Sequence, residues 1–155
     1  MLKHKVLDVC CGSKMFYFDK NNSAVLYCDN RELETSLCDG RKLEIKPDRL
    51  CDFTNLPFQD NSFYNVIFDP PHILKGGKTS WIVKKYGKLQ KDWKPEIQKG
   101  FSECFRVLKP FGTLIFKWSD IQIPCSEVLE LALPYKPLLG DQRGKTRFVV
   151  FIKGI

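Results

Sequence analysis

Histidine is nearly absent from this chain of 155 residues: only His4 and His72 occur, and none of the seven cysteines stands in a CxxC pair. Structural metal sites draw on thiolates and imidazoles at short spacing, so no bound metal is expected. Several of Cys10, Cys11, Cys28, Cys38, Cys51, Cys104 and Cys125 sit inside apolar runs, where a free thiol packs as a small hydrophobe. They read as reduced core residues. No apolar run approaches the ~20 residues that cross a bilayer, so no membrane partner is expected. The start, Met1-Leu2-Lys3-His4-Lys5, has neither the apolar region nor the cleavage site of a secretory leader, which makes a cytoplasmic location the expectation.

Hydrophobic residues make up 43% of the chain and aromatics 13%, enough for one packed domain spanning residues 1–155. The net charge is +7, and it is unevenly placed. Between positions 75 and 94, Lys75, Lys78, Lys84, Lys85, Lys88, Lys91 and Lys94 face only Asp92, so this stretch holds nearly all of the excess.

Apolar runs and turn residues alternate along the chain. Lys5–Val9 reads as a buried strand running into Asp8-Val9-Cys10-Cys11-Gly12-Ser13, with a short helix over Lys14–Asp19. Further strands are expected at Ala24–Cys28, Asp48–Cys51, Tyr64–Phe68 and Thr113–Trp118. Pro95–Leu108 has helical spacing, with Ile97, Phe101, Phe105 and Leu108 on one face. Lys109-Pro110-Phe111-Gly112 reads as its stop and a turn. A short helix over Ser126–Leu133 precedes a closing hairpin, Tyr135–Leu139 and Thr146–Lys153, joined by Gly140–Lys145. Strands alternating with helices argue for an α/β domain whose parallel sheet is covered on both faces, with the hairpin adding an antiparallel strand. The segment 73–94 is too long for an ordinary connection in such a sheet and reads as a functional insert.

The ordered series Asp8-Val9-Cys10-Cys11-Gly12, Asp29 after the second strand, Asp52-Phe53, Leu56-Pro57-Phe58-Gln59-Asp60-Asn61-Ser62-Phe63 and Arg106–Leu114 resembles class I S-adenosylmethionine-dependent methyltransferases over nearly the whole chain. The resemblance implies a Rossmann-like fold with a mostly parallel seven-stranded sheet, helices on both faces and an antiparallel C-terminal hairpin strand. It also implies S-adenosylmethionine as cofactor, held by Asp8, Cys10, Cys11, Gly12, Asp29, Asn30, Asp52, Phe53 and Asp69. Asp8 would orient the turn or face the methionine amino group, and Asp52 would accept from the adenine amine with Phe53 beside the ring. Asp29 follows Asp8 by 21 residues, near the ~20 expected for an acidic residue that accepts from ribose hydroxyls. Two departures stand out: Cys10 replaces a glycine usual in the turn, and almost no chain precedes the first strand. The pocket is then left open, or is covered by the lysine-rich segment or by a second subunit, which would make the protein a homo-oligomer.

Asp69-Pro70-Pro71-His72 directly follows a buried strand and resembles the Asp/Asn-Pro-Pro-aromatic signature of methyltransferases acting on amines. A conjugated amine has its lone pair delocalised. A carboxylate and a backbone carbonyl accepting its two N–H groups favour tetrahedral nitrogen and stabilise developing charge. By resemblance Asp69 and the Pro70 carbonyl would be these acceptors, Pro70 and Pro71 would stiffen the backbone, and His72 would take the stacking position. The following segment interleaves lysines with aromatics, and Lys75, Lys78, Trp81, Lys84, Lys85, Tyr86 and Lys88, with Arg143 and Lys145 of the hairpin, form the footprint of a nucleic-acid site. The leading expectation is methylation of an exocyclic amine, adenine N6 in DNA or RNA. A small-molecule or protein amine or amide as acceptor, and a non-catalytic binding module on the same fold, stay open as alternatives.

Overall fold

A computed structural model describes residues 3–155; Met1 and Leu2, part of the start read above for a leader, lie outside the described residues. The elements run β1 (Val6–Asp8), β2 (Val25–Asp29), β3 (Leu33–Ser36), β4 (Lys42–Ile45), β5 (Arg49–Leu50), β6 (Phe63–Phe68), α1 (Trp81–Tyr86), α2 (Trp93–Val107), β7 (Leu108–Ser119), α3 (Cys125–Leu129), β8 (Leu139–Arg143) and β9 (Thr146–Ile152). Seven strands form one sheet in the order β5-β2-β1-β6-β7-β9-β8. β5, β2, β1, β6 and β7 pair in parallel, while β9 is antiparallel to both β7 and β8. The expected mostly parallel seven-stranded sheet is therefore present. From β1 the chain builds outward to β2 and β5, then returns to add β6 and β7 on the other side. That reversal leaves a crevice at the carboxyl ends of β1 and β6, where open α/β sheets bind ligands.

Pairing register assigns the two faces. Leu7, Val66, Leu114 and Phe116 share one face with Cys28, Phe68 and Phe151 and join Ile97, Phe101 and Phe105 of α2 in the main core. Cys125 and Val128 of α3 enter the same core. α2 and α3 thus cover this face. Over the opposite face, Val6, Val25 and Tyr27 are covered by the irregular segment around Cys11 and Tyr17. The helix expected over Lys14–Asp19 does not form. Gly12 and Lys14 both take positive φ (49° and 57°), which breaks a right-handed helix, and Tyr17 turns inward to donate to Asp8 at 2.8 Å and pack edge-on against Tyr27.

Other differences are local. β3 and β4 form a separate antiparallel hairpin that the sequence reading passed over; its short alternation buries Leu43 and Ile45 on one side only. α2 ends at Val107 and Leu108 opens β7, so Lys109–Gly112 is a bulge within a strand and not a free turn. Phe63 pairs with Leu108 but Asn65 with Thr113, and Phe111 takes φ 60°. The closing hairpin turns at Gly144-Lys145, which moves its first strand to Leu139–Arg143. Ser126–Leu133 is split into α3 and a 3-10 turn over Glu130–Ala132. Of the cysteines, Cys11, Cys28, Cys51, Cys104 and Cys125 are buried, Cys10 is half-buried and Cys38 is exposed, outside the core reading.

The core is aromatic. Phe68 meets Phe53 and Phe101 at ring-centroid distances of 5.3 Å each and Phe116 at 5.7 Å. Such pairs add ~0.5–1.5 kcal/mol each beyond area burial. Gly100 allows this approach, because a Cβ there would lie 2.6 Å from Phe68 Cζ and 2.7 Å from Phe53 Cδ2. Both rings are buried and have nowhere to retreat. Gly100→Ala is therefore expected to lower stability by about 1–3 kcal/mol of overpacking, against ~1 kcal/mol gained in helix propensity. Thermal melting checks this, and an unchanged or raised midpoint would contradict the packing.

Candidate active site

Three parallel strands end in aspartate at the crevice: β1 in Asp8, β2 in Asp29 and β6 leading into Asp69. The apolar strands bury their own length, and the acidic side chains at their ends meet very different surroundings. Asp8 is 1% exposed and points into the protein, accepting from Cys10 N–H at 3.1 Å and the Tyr17 hydroxyl at 2.8 Å. Burial pushes its carboxyl up to about 7, against the lowering effect of the Tyr17 hydrogen bond. Asp29 binds the turn after β1: Oδ2 accepts Gly12 N–H at 2.9 Å, and Oδ1 accepts Arg31 N–H at 3.0 Å and Arg31 Nε at 3.3 Å. A carboxylate offers about four acceptor positions, so one is left for a ligand hydroxyl.

Between these strand ends and α1 lies a cavity of about 150 Å³. Cys10, Cys11, Gly12, Asp29, Asn30, Phe53, Asp69, Pro71, Lys85, Tyr86 and Lys88 line it, so residues read from distant parts of the sequence do meet. Other residues singled out in the sequence do not reach it. Asp8 is turned inward as described. Asp52 is exposed and accepts from Thr54 N–H and the Thr54 hydroxyl at 2.8 and 2.7 Å. Pro70 is buried away from the lining. His72 is also buried, with its ring 5.3 Å from Tyr86 and 6.1 Å from Trp118. Burial, reinforced by the Lys117 charge, lowers its pKa to about 4, so the ring is neutral at physiological pH. The aromatic ring presented to the cavity after Asp69-Pro70-Pro71 is therefore Tyr86. Lys75, Lys78, Trp81 and Lys84 lie outside the cavity, and Arg143 and Lys145 sit exposed at the β8–β9 turn. Because Thr146 pairs with Ser119 at the end of β7, that turn is at the same carboxyl end of the sheet.

Sequence reasoning missed Lys117, Arg31, Phe16 and Glu96, all of which line the cavity. Lys117 Nζ stands 3.3 Å from Asp69 Oδ2 and 4.4 Å over the Phe16 ring. Its signal was a lysine inside the apolar strand Thr113–Trp118. Burial raises the Asp69 carboxyl to about 6, and the Lys117 charge limits that rise. Glu96, in the first turn of α2, has its Oε2 buried with no hydrogen-bond partner, and among the described residues no other side-chain oxygen or nitrogen is so placed. Arg31 ties down the covering helix: Nη1 donates to Lys84 O at 3.1 Å and Nη2 to Lys85 O at 3.5 Å. Lys85, Tyr86 and Lys88 of the lysine-rich segment thus form part of the cavity wall. Among the described residues, no helix is long and apolar enough to cross a membrane.

With the site in view, comparison places the fold. No protein-family model matches the chain, and its sequence matches no curated protein significantly. Solved structures do match. A protein of Pyrococcus horikoshii OT3 is 20% identical with a TM-score of 0.62, over 98% of this chain and 82% of the other. A TehB-like S-adenosylmethionine-dependent methyltransferase from Corynebacterium glutamicum is 13% identical with a TM-score of 0.59, over 97% and 80%. An S-adenosylmethionine-dependent methyltransferase from Methanosarcina mazei is 12% identical with a TM-score of 0.56, over 99% and 94%. At these identities the likeness is one of architecture: the chain has the Rossmann-like fold of S-adenosylmethionine-dependent methyltransferases.

Lys85 and Tyr86 of α1 line this cavity, and Arg31 ties that helix in place. Arg31→Ala removes both ties to α1. Trypsin is expected to cleave the variant faster after Lys84 or Lys85 than the parent, with cleavage elsewhere unchanged. Equal cleavage would mean that Arg31 does not hold the helix.

Proposed function

We propose that the protein is an S-adenosylmethionine-dependent methyltransferase that modifies an exocyclic amine of a nucleic-acid base, with adenine N6 as the leading target. The observation that carries the reading is the meeting of Asp69 with the Gly12 turn and Asp29 in one cavity at the switch in strand order. The residues fit the cofactor. The turn from Cys10 to Gly12 lets backbone approach a ligand, Asp29 keeps one acceptor position, and Phe53 offers an aromatic face. When bound, S-adenosylmethionine supplies a methyl group already activated by a positive sulfur, so the chain need provide no nucleophile of its own.

The chain's part is to prepare the acceptor nitrogen. Asp69 accepts one N–H of the amine, which raises the nitrogen's electron density and stabilises the positive charge that grows on it. Lys117 favours the ionised form of Asp69, which is the stronger acceptor and the one whose charge offsets that growing on the nitrogen. Pro71 limits the backbone's freedom beside it, and Tyr86 offers the ring against which a planar base can stack. A base presented here must leave a duplex or come from a single strand. Lys88 in the cavity lining, with Lys84 and the exposed Lys75, Lys78, Arg143 and Lys145 outside it, supplies charge for the phosphates, and Trp81 is 42% exposed.

A second reading rests on the cavity's own charge. Lys85, Lys88 and Lys117 all line it, which suits a small amine that also carries an acidic group. Transfer of labelled methyl groups to duplex DNA, single-stranded DNA, RNA and a pool of small amines, followed by identification of the product, separates the two. Label in methylated adenosine or deoxyadenosine supports the first reading, and label confined to the small amines supports the second.

Asp69→Ala, which removes the acceptor, is expected to lower the rate of transfer by ~10²-fold or more while leaving cofactor affinity within about twofold. Because the Asp69 carboxyl sits at about 6 and its ionised form is the one that stabilises the growing positive charge, the parent's rate is expected to rise with pH through about 6 and level off above it. Lys117→Met, which removes the charge opposing protonation, is expected to move that rise to higher pH. A pH–rate profile checks both. Replacing Lys84, Lys85 and Lys88 together by glutamine is expected to weaken nucleic-acid binding and flatten its salt dependence by up to about three charges' worth of slope. An unchanged slope would exclude this segment from the acceptor site.

A further inference from the structure

Glu96 is the unexplained group in the cavity. It enters from α2, whereas the turns that shape the rest of the site come from the sheet. Its Oε2 is buried, lacks any partner in the protein, and belongs to a residue that lines the cavity. An ionisable oxygen withdrawn from water without a hydrogen bond destabilises the folded chain, so its retention points to a donor arriving from outside. One turn further along α2, Gly100 presses against the Phe53 ring, with a virtual Cβ only 2.7 Å from Phe53 Cδ2. Residues four apart share a helix face, which sets Glu96 beside the ring that also lines the cavity.

The residue expected to read an adenine amine, Asp52, is occupied elsewhere. It is exposed, does not line the cavity, and accepts both the N–H and the hydroxyl of Thr54. Burial raises the pKa of Glu96, and Asp52 is near enough for its charge to add to that rise. Glu96 therefore brings a carboxylate from α2, one oxygen of which has no partner, to the cavity lining it shares with Phe53.

We infer that Glu96 is the specificity residue for the purine of the cofactor, its carboxylate turning to accept an N–H of the 6-amino group while Phe53 packs on the ring. The inference rests on the methyltransferase reading above. It assigns discrimination between amino- and deaminated purines to α2 instead of the Asp52 position. It also gives the buried carboxylate two states: a cost in the free protein, and a charge-assisted hydrogen bond in the complex.

Calorimetric titration tests this with two ligands, S-adenosylhomocysteine and the analogue whose purine carries hydrogen in place of the 6-amino group. The parent is expected to prefer the first by about tenfold or more, the range of a hydrogen bond to a charged group. Glu96→Ala should lose that preference, weakening S-adenosylhomocysteine by about tenfold while leaving the analogue within about twofold. Asp52→Ala should retain it. The melting temperature of unliganded Glu96→Ala should match or exceed the parent's, since the variant removes an unsatisfied buried carboxylate. A parent that binds both ligands equally overturns the role of Glu96 and leaves the methyltransferase reading intact. A parent that binds neither overturns both. A lowered melting temperature with equal loss of both ligands would make Glu96 a structural residue and overturn the inference.

Discussion

The carboxylate of Asp29 is the junction on which the cavity depends. At the end of β2 it accepts the N–H of Gly12, and this fixes the turn after β1 against the neighbouring strand. The same carboxylate pairs with Arg31, whose other nitrogens reach the carbonyls of Lys84 and Lys85. One buried anion thereby connects the floor of the cavity to its cover. Asp29 is 3% exposed, so its interactions act in a medium where charge-assisted hydrogen bonds are strong and an unpaired charge is costly. The turn cannot relax outward without leaving that carboxylate short of donors.

Around this junction the sheet is built unequally. Its main core is a continuous aromatic layer under α2, running from Phe53 through Phe68, Phe101 and Phe116 to Phe151. The other face at β1 and β2 relies on Tyr17 and Tyr27, with Lys14 Nζ 4.0 Å over the Tyr27 ring. Asp8 is drawn into that packing. Its carboxyl serves the Cys10 N–H and the Tyr17 hydroxyl, so it shapes the cavity by holding its wall and not by facing a ligand. Raised to about 7 by burial, it weakens the fold as pH rises through the interval between the ordinary carboxylate value and about 7, because the folded chain holds the proton more tightly than the unfolded one. That cost sits beside the cavity.

Across the crevice, Lys117 and Asp69 show how one strand position can redirect a motif. Lys117 alternates outward from a strand whose neighbours Phe116 and Trp118 are fully buried, and this aims its amine at the end of β6. Its charge limits the rise of the Asp69 pKa and lowers that of His72. The same charge therefore opposes protonation of both groups, adding to the burial that already keeps His72 neutral. His72 is packed against Tyr86, whose own ring lines the cavity together with those of Phe16 and Phe53.

Much of this was legible along the chain. Apolar runs ending in Asp8, Asp29 and Asp69 mark parallel strands whose polar ends collect at one edge, and the spacing of Ile97, Phe101 and Phe105 marks the helix that covers them. Those signals are local, because burial of a strand or a helix face needs a repeating pattern of side chains. What the pattern leaves open is where a side chain turns once its backbone is placed. Tertiary contacts took Asp8 inward to Tyr17, turned Asp52 out to Thr54, and brought Lys117 and Glu96 into the cavity. They also prevented the helix at Lys14–Asp19, since a hydrogen bond from Tyr17 to a buried carboxylate outweighs the weak helical preference of so short a segment. The sequence by itself determined the order of the strands' polar ends and hence the place of the site. Which carboxylates face it was decided only by packing, because that choice depends on donors contributed by residues far away in the chain.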